Sequence, residues 1–292
     1  SMAQWESQKL KYNSQTGKFI HDTMVQVNRS GGFVGNPLPG LTFDSDDTSL
    51  DFNAWGAAQN YKIAEGTITG YGNDHKFGVV NSTASANYST IWTPADTLAT
   101  ILYPWGTSAG TLSVISSAAA DAAGQAGAVT MRVEGLDNSY NEITADFTIT
   151  GTGETAESSN SFLVVNRAYV LTGATNVGKI QIKNGSVVMG EISAGKGQTL
   201  QAAYTVPAGK TAYLIDIQCT SSKNISTDAS LFVREFGGVF RARNEMKLYQ
   251  NHAFTTWQIP LQIPEKSNID MRIKGATNND VGADFDLLLV DN

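Results

Sequence analysis

The chain has 292 residues, of which 41% are hydrophobic, and a formal net charge of −7 from 20 Lys+Arg against 27 Asp+Glu. That length holds one large domain or two modest ones with a sizeable core, and the acidic balance excludes the clustered Lys and Arg of a nucleic-acid footprint. Only 16% of residues are charged, against a usual ~25%, which argues against coiled coils and charged solenoids, and no run approaches the ~20 apolar residues of a membrane span.

No secretory leader opens the chain, and Ser1 ahead of Met2 reads as a cleavage scar. Residues 1–60 mix basic positions, Ser30-Gly31-Gly32, Asn36-Pro37-Leu38-Pro39-Gly40 and the acidic run Asp44, Asp46, Asp47 and Asp51. Gly and Pro at this density interrupt long elements, so the spacing predicts an irregular N-terminal arm that needs a surface to become ordered. Its apolar content exceeds that of a free tail. Trp5, Tyr12, Phe19, Ile20 and Phe33 are therefore candidate assembly contacts.

Residues 61–195 are expected to form a first β-sandwich. The segment from Phe52 to Trp105 is rich in aromatics among neutral polar neighbours, and Trp55, Tyr71, Trp92 and Trp105 are candidate rings for a glycan platform. The preferred reading is the core of a loop-rich region, because large rings fill irregular space. Thr93-Pro94 has the residue types that open a short helix. From about residue 110 a period of two takes over: Val129, Met131 and Val133, then Ile143, Ala145, Phe147 and Ile149, then Ile180 and Ile182. Asp137 to Asn141 suits a hairpin or short loop, and the Ala-rich stretch 118–128 a loop.

The pattern breaks at Ser193–Gln198 and restarts, so residues 196–292 are expected to form a second, jelly-roll-like sandwich. Tyr204–Thr211 reads strand, turn, strand. Tyr213, Ile215, Ile217 and Cys219 share one face, as do Trp257, Ile259, Leu261 and Ile263, with Pro260 marking an edge or bulged strand. Ile269, Met271 and Ile273, then Phe285, Leu287 and Leu289, complete the set. The expected fold is all-β: two consecutive antiparallel sandwiches preceded by the arm.

Motifs for chemistry fail on inspection. Gly173–Lys179 matches the first seven positions of a phosphate-binding loop, but Ile180 stands where magnesium needs a hydroxyl, and the next residues alternate as a strand. It reads as a hairpin turn. The acidic run at 44–51 lacks the Gly and Glu of a calcium loop and reads as solvated. His21, His75 and His252 are scattered, and the single Cys219 permits no internal disulfide and completes no zinc set; on an apolar face it reads as a buried thiol. No Gly-x-Ser-x-Gly elbow is present. Glu134, Glu142 and Asp146 are the carboxylates a glycosidase would need in pairs, and they read instead as outward, solubilising charges. No catalytic, cofactor-binding or metal-ligating residue is assigned, and no enzyme activity is expected.

The phrases Thr111–Ser117, Thr130–Asp137, Tyr140–Ile143, Val165–Val170, Tyr204–Leu214, Leu231–Gly238 and Phe285–Asn292 together resemble virion structural proteins of tailed bacteriophages, particularly short-tailed marine ones. The resemblance spans roughly residues 108–292. It implies a head-decoration, fibre-like or tail-associated subunit, made in the host cytoplasm and resident in the virion. Its expected partners are itself, as a homotrimer, and other virion proteins, with neither nucleic acid nor membrane insertion. A host-surface glycan-binding module is the alternative, and a polysaccharide-degrading enzyme the third reading.

Overall fold

Short β-branched and aromatic runs satisfy their backbone groups only by pairing with one another. The computed structural model of the chain describes residues 60–82, 87–96, 102–224, 226–249, 252–275 and 279–292, together with the backbone of four short strands nearer the N-terminus. Every strand pair among the described residues is antiparallel. No helix among them is long and apolar enough to cross a membrane.

The chain forms two compact units, residues 1–65 and 66–292. In the first, β1 (Lys11–Asn13), β2 (Lys18–Ile20), β3 (Gln26–Val27) and β4 (Phe33–Val34) make a meander in chain order. The zone read as irregular thus carries a small sheet.

The second unit begins with β5 (Tyr71–Ser82) and β6 (Ser89–Thr90), followed by a single 3-10 turn at Thr93–Asp96, where Thr93-Pro94 predicts it. Then come β7 (Gly110–Thr111), β8 (Ser113–Ser116), β9 (Ala128–Leu136), β10 (Glu142–Thr148), β11 (Ser161–Phe162), β12 (Val164–Gly173), β13 (Ile180–Asn184) and β14 (Val187–Ile192). These form a sandwich of sheet β10-β9-β12 on sheet β14-β13-β8, with β11 paired to β7. Its core holds Leu112, Val114, Met131, Val133, Phe147, Ile180 and Ile182.

Next are β15 (Ala203–Thr205), β16 (Lys210–Ser221), β17 (Thr227–Arg234), β18 (Arg241–Leu248), β19 (His252–Ile263), β20 (Asn268–Lys274) and β21 (Asn279–Asp291). Sheet β15-β20-β17-β18 faces sheet β19-β16-β21-β5, and β6 pairs with β20. Ala229, Leu231, Met271, Ile217, Phe285 and Leu287 fill the space between them.

This pairing departs from a division into residues 61–195 and 196–292. Although β5 and β6 lie on the N-terminal side, β5 runs beside β21 from Tyr71↔Val290 to Ser82↔Asn279, so the second sandwich takes strands from both flanks of the first. The long edge of β21 leaves a row of backbone groups that only an equally long strand can satisfy. Close approach makes this possible at Gly78, where a Cβ would stand 2.2 Å from the Ile91 carbonyl oxygen and 2.4 Å from the Ala202 nitrogen.

Two patterns break at bulges and crossovers. Ile215 is an extra residue against β21, between the pairs Leu214↔Leu287 and Asp216↔Asp286, and on its other side it faces the four bulged residues Trp257–Pro260 of β19. The extra residue reverses the alternation, so Ala212 and Leu214, then Ile217 and Cys219, face the core, while Ile215 and Ile259 turn outward. The predicted faces Tyr213–Cys219 and Trp257–Ile263 are corrected accordingly. Tyr204–Thr211 runs strand, turn, strand as the sequence implies, with β15 paired to β20 and β16 to β19 and β21; Gly173–Lys179 is not a hairpin turn, since β12 pairs with β9 and β13 with β8 and β14. Each turn carries the chain from one sheet to the other.

The two sandwiches are joined by buried polar bonds. The Tyr103 hydroxyl donates to the Val165 carbonyl at 3.2 Å and accepts from the Val165 N–H at 2.9 Å. Gln201 donates to the same carbonyl at 2.9 Å, and the Asn166 side chain brackets the Thr205 backbone at 2.9 and 3.0 Å.

Candidate functional site

The free edges of the second sandwich differ in chemistry. In β18, Arg241, Arg243, Glu245 and Lys247 punctuate the strand; Arg243 pairs with Glu235 at 2.7 Å and Lys247 with Asp228. Charges of this kind guard an edge against pairing with another chain. None of the twelve residues of β19 is Asp, Glu, Lys or Arg. Phe254 is 55% exposed and Ile259 85%, with Ile215 of the neighbouring strand at 40%. Pro260 removes one donor from the edge, as the sequence implies for a bulged strand. An uncharged, apolar edge of this composition suits a protein partner.

Beside this edge the outer face of the sheet carries acids. Asp216 lies opposite Asp286, and His75 Nδ1 is 2.6 Å from Asp286 Oδ1. Burial raises the Asp216 pKa, the carboxylates of Asp286 and Asp284 raise it further, and His75 opposes them. Among the described residues no three His, Cys, Asp or Glu side chains close into a metal site.

A second feature forms where the two sandwiches meet. A groove of about 440 Å³ is lined by Tyr140 and Asn138 from the β9–β10 hairpin, Arg234 and Phe236 from the end of β17, and Lys266 from the β19–β20 turn. Tyr140 and Phe236 meet edge to face at 5.6 Å, and Phe236 is 67% exposed. Arg234 stacks 4.8 Å from the Phe240 centroid, donates through Nε to Asn268 at 2.8 Å, and makes no ion pair among the described residues. The Lys266 ammonium lies 5.8 Å from the Phe236 centroid. Glu235 beside them is engaged by Arg243.

Tyr140 at φ 66° and Lys266 at φ 60° are the two non-glycine residues with left-handed backbones among those described. The segment Val206–Ala208 holds both: Ala208 N–H donates to the Tyr140 carbonyl and Lys266 N–H to the Val206 carbonyl, each at 2.9 Å. Strain of this kind persists only where its surroundings over-determine it.

Two buried charged clusters complete the electrostatics. Lys76 is 3% exposed and donates to the Asn166 carbonyl; burial lowers its pKa to about 8, with Asp74 opposing. Arg167 reaches Asp74 at 3.2 Å. Asp270, fully buried, accepts from Arg272 at 2.7 Å and from the Trp105 indole at 3.2 Å; its pKa is raised by burial against the pull of Arg272.

Trp5, Trp55 and the acidic run at 44–51 lie outside the described residues. Tyr12, Phe19, Ile20 and Phe33 fall in β1, β2 and β4, where the backbone alone is described. The three described candidate rings do not form a platform: Trp92 is 1% exposed and sits in the core, as the preferred reading has it. Tyr71, at the start of β5, lies on the outer face of one sheet, and Trp105, bonded to Asp270, on that of the other. Glu134 accepts from the Tyr169 hydroxyl at 2.8 Å, Asp146 pairs with Arg132 at 2.7 Å and Glu142 with Lys210 at 3.1 Å, so these carboxylates are engaged separately. Cys219 is buried, and burial, with Asp284 adding to it, pushes its thiol up to about 12. In the phosphate-loop lookalike, the Val177 and Gly178 amides donate to the Asp121 carboxylate at 2.8 and 2.9 Å, so an internal anion takes the donors a phosphate would use. Sequence reasoning missed the groove because Tyr140, Arg234, Phe236 and Lys266 come from three distant turns with no shared motif.

The strands define the class: an all-β protein built of antiparallel sandwiches. No family model and no curated protein matches the chain. Among solved structures it is similar to that of the infectious bursal disease virus Gx strain, at 9% identity over 76% of this chain and 72% of that chain with a TM-score of 0.23. It is also similar to the infectious bursal disease virus VP2 subviral particle, at 10% identity over 77% and 73% with a TM-score of 0.19.

Proposed function

We propose that this protein is a virion structural subunit that works by binding rather than by catalysis, with β19 as a contact to another copy of itself. The observation that carries the reading is the contrast between edges: β18 is charged along its length, while β19 exposes Phe254 and Ile259 with no charge to deter pairing. The resemblance of residues 108–292 to tailed-phage virion proteins supports a decoration, fibre-like or tail-associated place on the particle, with Trp5, Tyr12, Phe19, Ile20 and Phe33 as a second set of contacts. Closed symmetric assembly is the usual outcome for identical subunits, and a trimer is the expected number. Light scattering across a concentration series tests this. The wild-type chain should assemble, and Ile259→Lys, which places a charge at an already exposed position, should shift the midpoint at least about tenfold, equivalent to about 1.4 kcal/mol of contact energy. A wild-type chain that stays monomeric throughout, or an oligomer that Ile259→Lys leaves intact, overturns the β19 contact.

A further inference from the structure

We propose that the groove between the β9–β10 hairpin and the end of β17 binds a sugar residue bearing a carboxylate, a hexuronic acid unit of a surface polysaccharide. This site is separate from the β19 edge and does not depend on it. Three observations converge. The first is ring placement: Phe236 is 67% exposed, meets Tyr140 edge to face at 5.6 Å, and has the Lys266 ammonium 5.8 Å from its centroid. Such a surface takes the flat C–H face of a pyranose and excludes water from it.

The second is charge. In a chain of net −7 this groove is lined by two cations, Arg234 and Lys266; its one lining carboxylate, Glu235, is held by Arg243 at 2.7 Å, and Glu265, 4.0 Å from the Lys266 ammonium, accepts from the Gly209 N–H at 2.6 Å. Arg234 uses Nε on Asn268 and stacks on Phe240, which fixes the plane of its guanidinium and leaves its terminal nitrogens for a planar oxyanion. A carboxylate fits that fork in two-point fashion. The Asn138 carboxamide, whose oxygen accepts from Ala109 N–H at 3.4 Å, retains its amino group for a ring hydroxyl.

The third is backbone strain. The two left-handed non-glycine residues of the described chain both line this groove and are each hydrogen-bonded to the segment Val206–Ala208. Nothing in the sandwich core requires a side chain at Lys266, where glycine adopts the same φ without penalty. Keeping lysine there costs stability and places an ammonium beside Phe236, the expected signature of a binding residue. The volume of about 440 Å³ lies within the range of small-ligand sites, roughly 300–1,000 Å³.

The experiment is calorimetric titration of the full chain with oligogalacturonate, with the neutral galacto-oligosaccharide of equal length and with oligo-aspartate. Oligogalacturonate should bind and the other two should bind at least about tenfold more weakly. Phe236→Ala, at an exposed ring, and Lys266→Gly, which relieves the strained backbone, should each lower oligogalacturonate affinity about tenfold or more while the thermal midpoint stays level or rises. Absence of oligogalacturonate binding, equal binding of the neutral sugar, or full affinity in both variants overturns the site. Equal binding of oligo-aspartate overturns the sugar assignment in favour of an acidic peptide.

Discussion

Asp121→Ala should cost on the order of 4 kcal/mol of folding stability, among the larger losses a single substitution produces. The side chain is fully buried and accepts four hydrogen bonds: from the Ser116 hydroxyl at 2.6 Å and from the backbone amides of Val177, Gly178 and Ala128 at 2.8, 2.9 and 3.1 Å. It ties the 118–128 loop to the 174–179 crossover, two segments that have no strand ladder of their own. Removing the carboxylate leaves those donors buried without an acceptor, at about 1–3 kcal/mol each before relaxation. Asp121→Asn, which keeps one carbonyl oxygen, should fall between the variant and the wild type. Burial alone would raise the carboxyl pKa, but Ser116 and the three amides together hold it below the ordinary carboxylate value. A depressed folded pKa stabilises above the unfolded value near 3.8 and loses that contribution as pH falls through the folded value. Urea unfolding at pH 7 and at pH 3 should therefore show the gap between wild type and Asp121→Ala shrinking in acid. A gap below about 1 kcal/mol at pH 7 would mean that the loops do not depend on this anchor.

Alkaline pH should first stabilise this protein and then destabilise it, and Lys76→Met should abolish the first phase. Lys76 is buried among Asp74, Arg167 and Glu134, and its amine titrates near 8 in the folded chain against an ordinary 10.5. Below pH 8 the ammonium is charged in both states, and folding bears the cost of burying it. Between pH 8 and 10.5 the folded chain has shed the proton while the unfolded chain keeps it, so unfolding becomes harder as pH rises. The interval between 10.5 and about 8 corresponds to about 3 kcal/mol. The Cys219 thiol works the other way: its folded pKa is pushed to about 12 from 9.0, so stability falls from pH 9 upward. Tyr103 and Tyr204, both raised above 10.0 by burial, add to that fall above pH 10. Denaturation curves should rise from pH 8 to about 9, level, and then drop. The difference between wild type and Lys76→Met isolates the lysine, and it should grow by about 3 kcal/mol across pH 8 to 10.5. A flat difference would place the Lys76 ammonium in contact with water.

The all-β class was legible because alternation is a local property. Val129, Met131 and Val133 must face one way in any extended strand, and in β9 Met131 and Val133 do reach the core. The 3-10 turn at Thr93–Asp96 and the hairpin at Asp137–Asn141 followed from residue types that act over three or four positions. The failure of the phosphate-loop lookalike was legible too, since Ile180 opens a strand.

Local residue chemistry thus dictates how each segment extends, where it turns, and that Cys219 is buried. The tertiary structure alone decided which strands share a sheet and which side chains meet. The Ile215 bulge against β21 reverses a face that alternation extends straight through, because inserting one residue shifts a period of two by half a cycle. The pairing of β5 with β21 joins residues about 200 positions apart, and no local rule spans that distance. Asp121 became an anchor, Lys76 a buried amine, and Tyr140, Arg234, Phe236 and Lys266 one groove only when separate turns came together. Hydrogen bonds and desolvation act through space, so the chemistry of these residues is set by neighbours the chain does not place beside them in order.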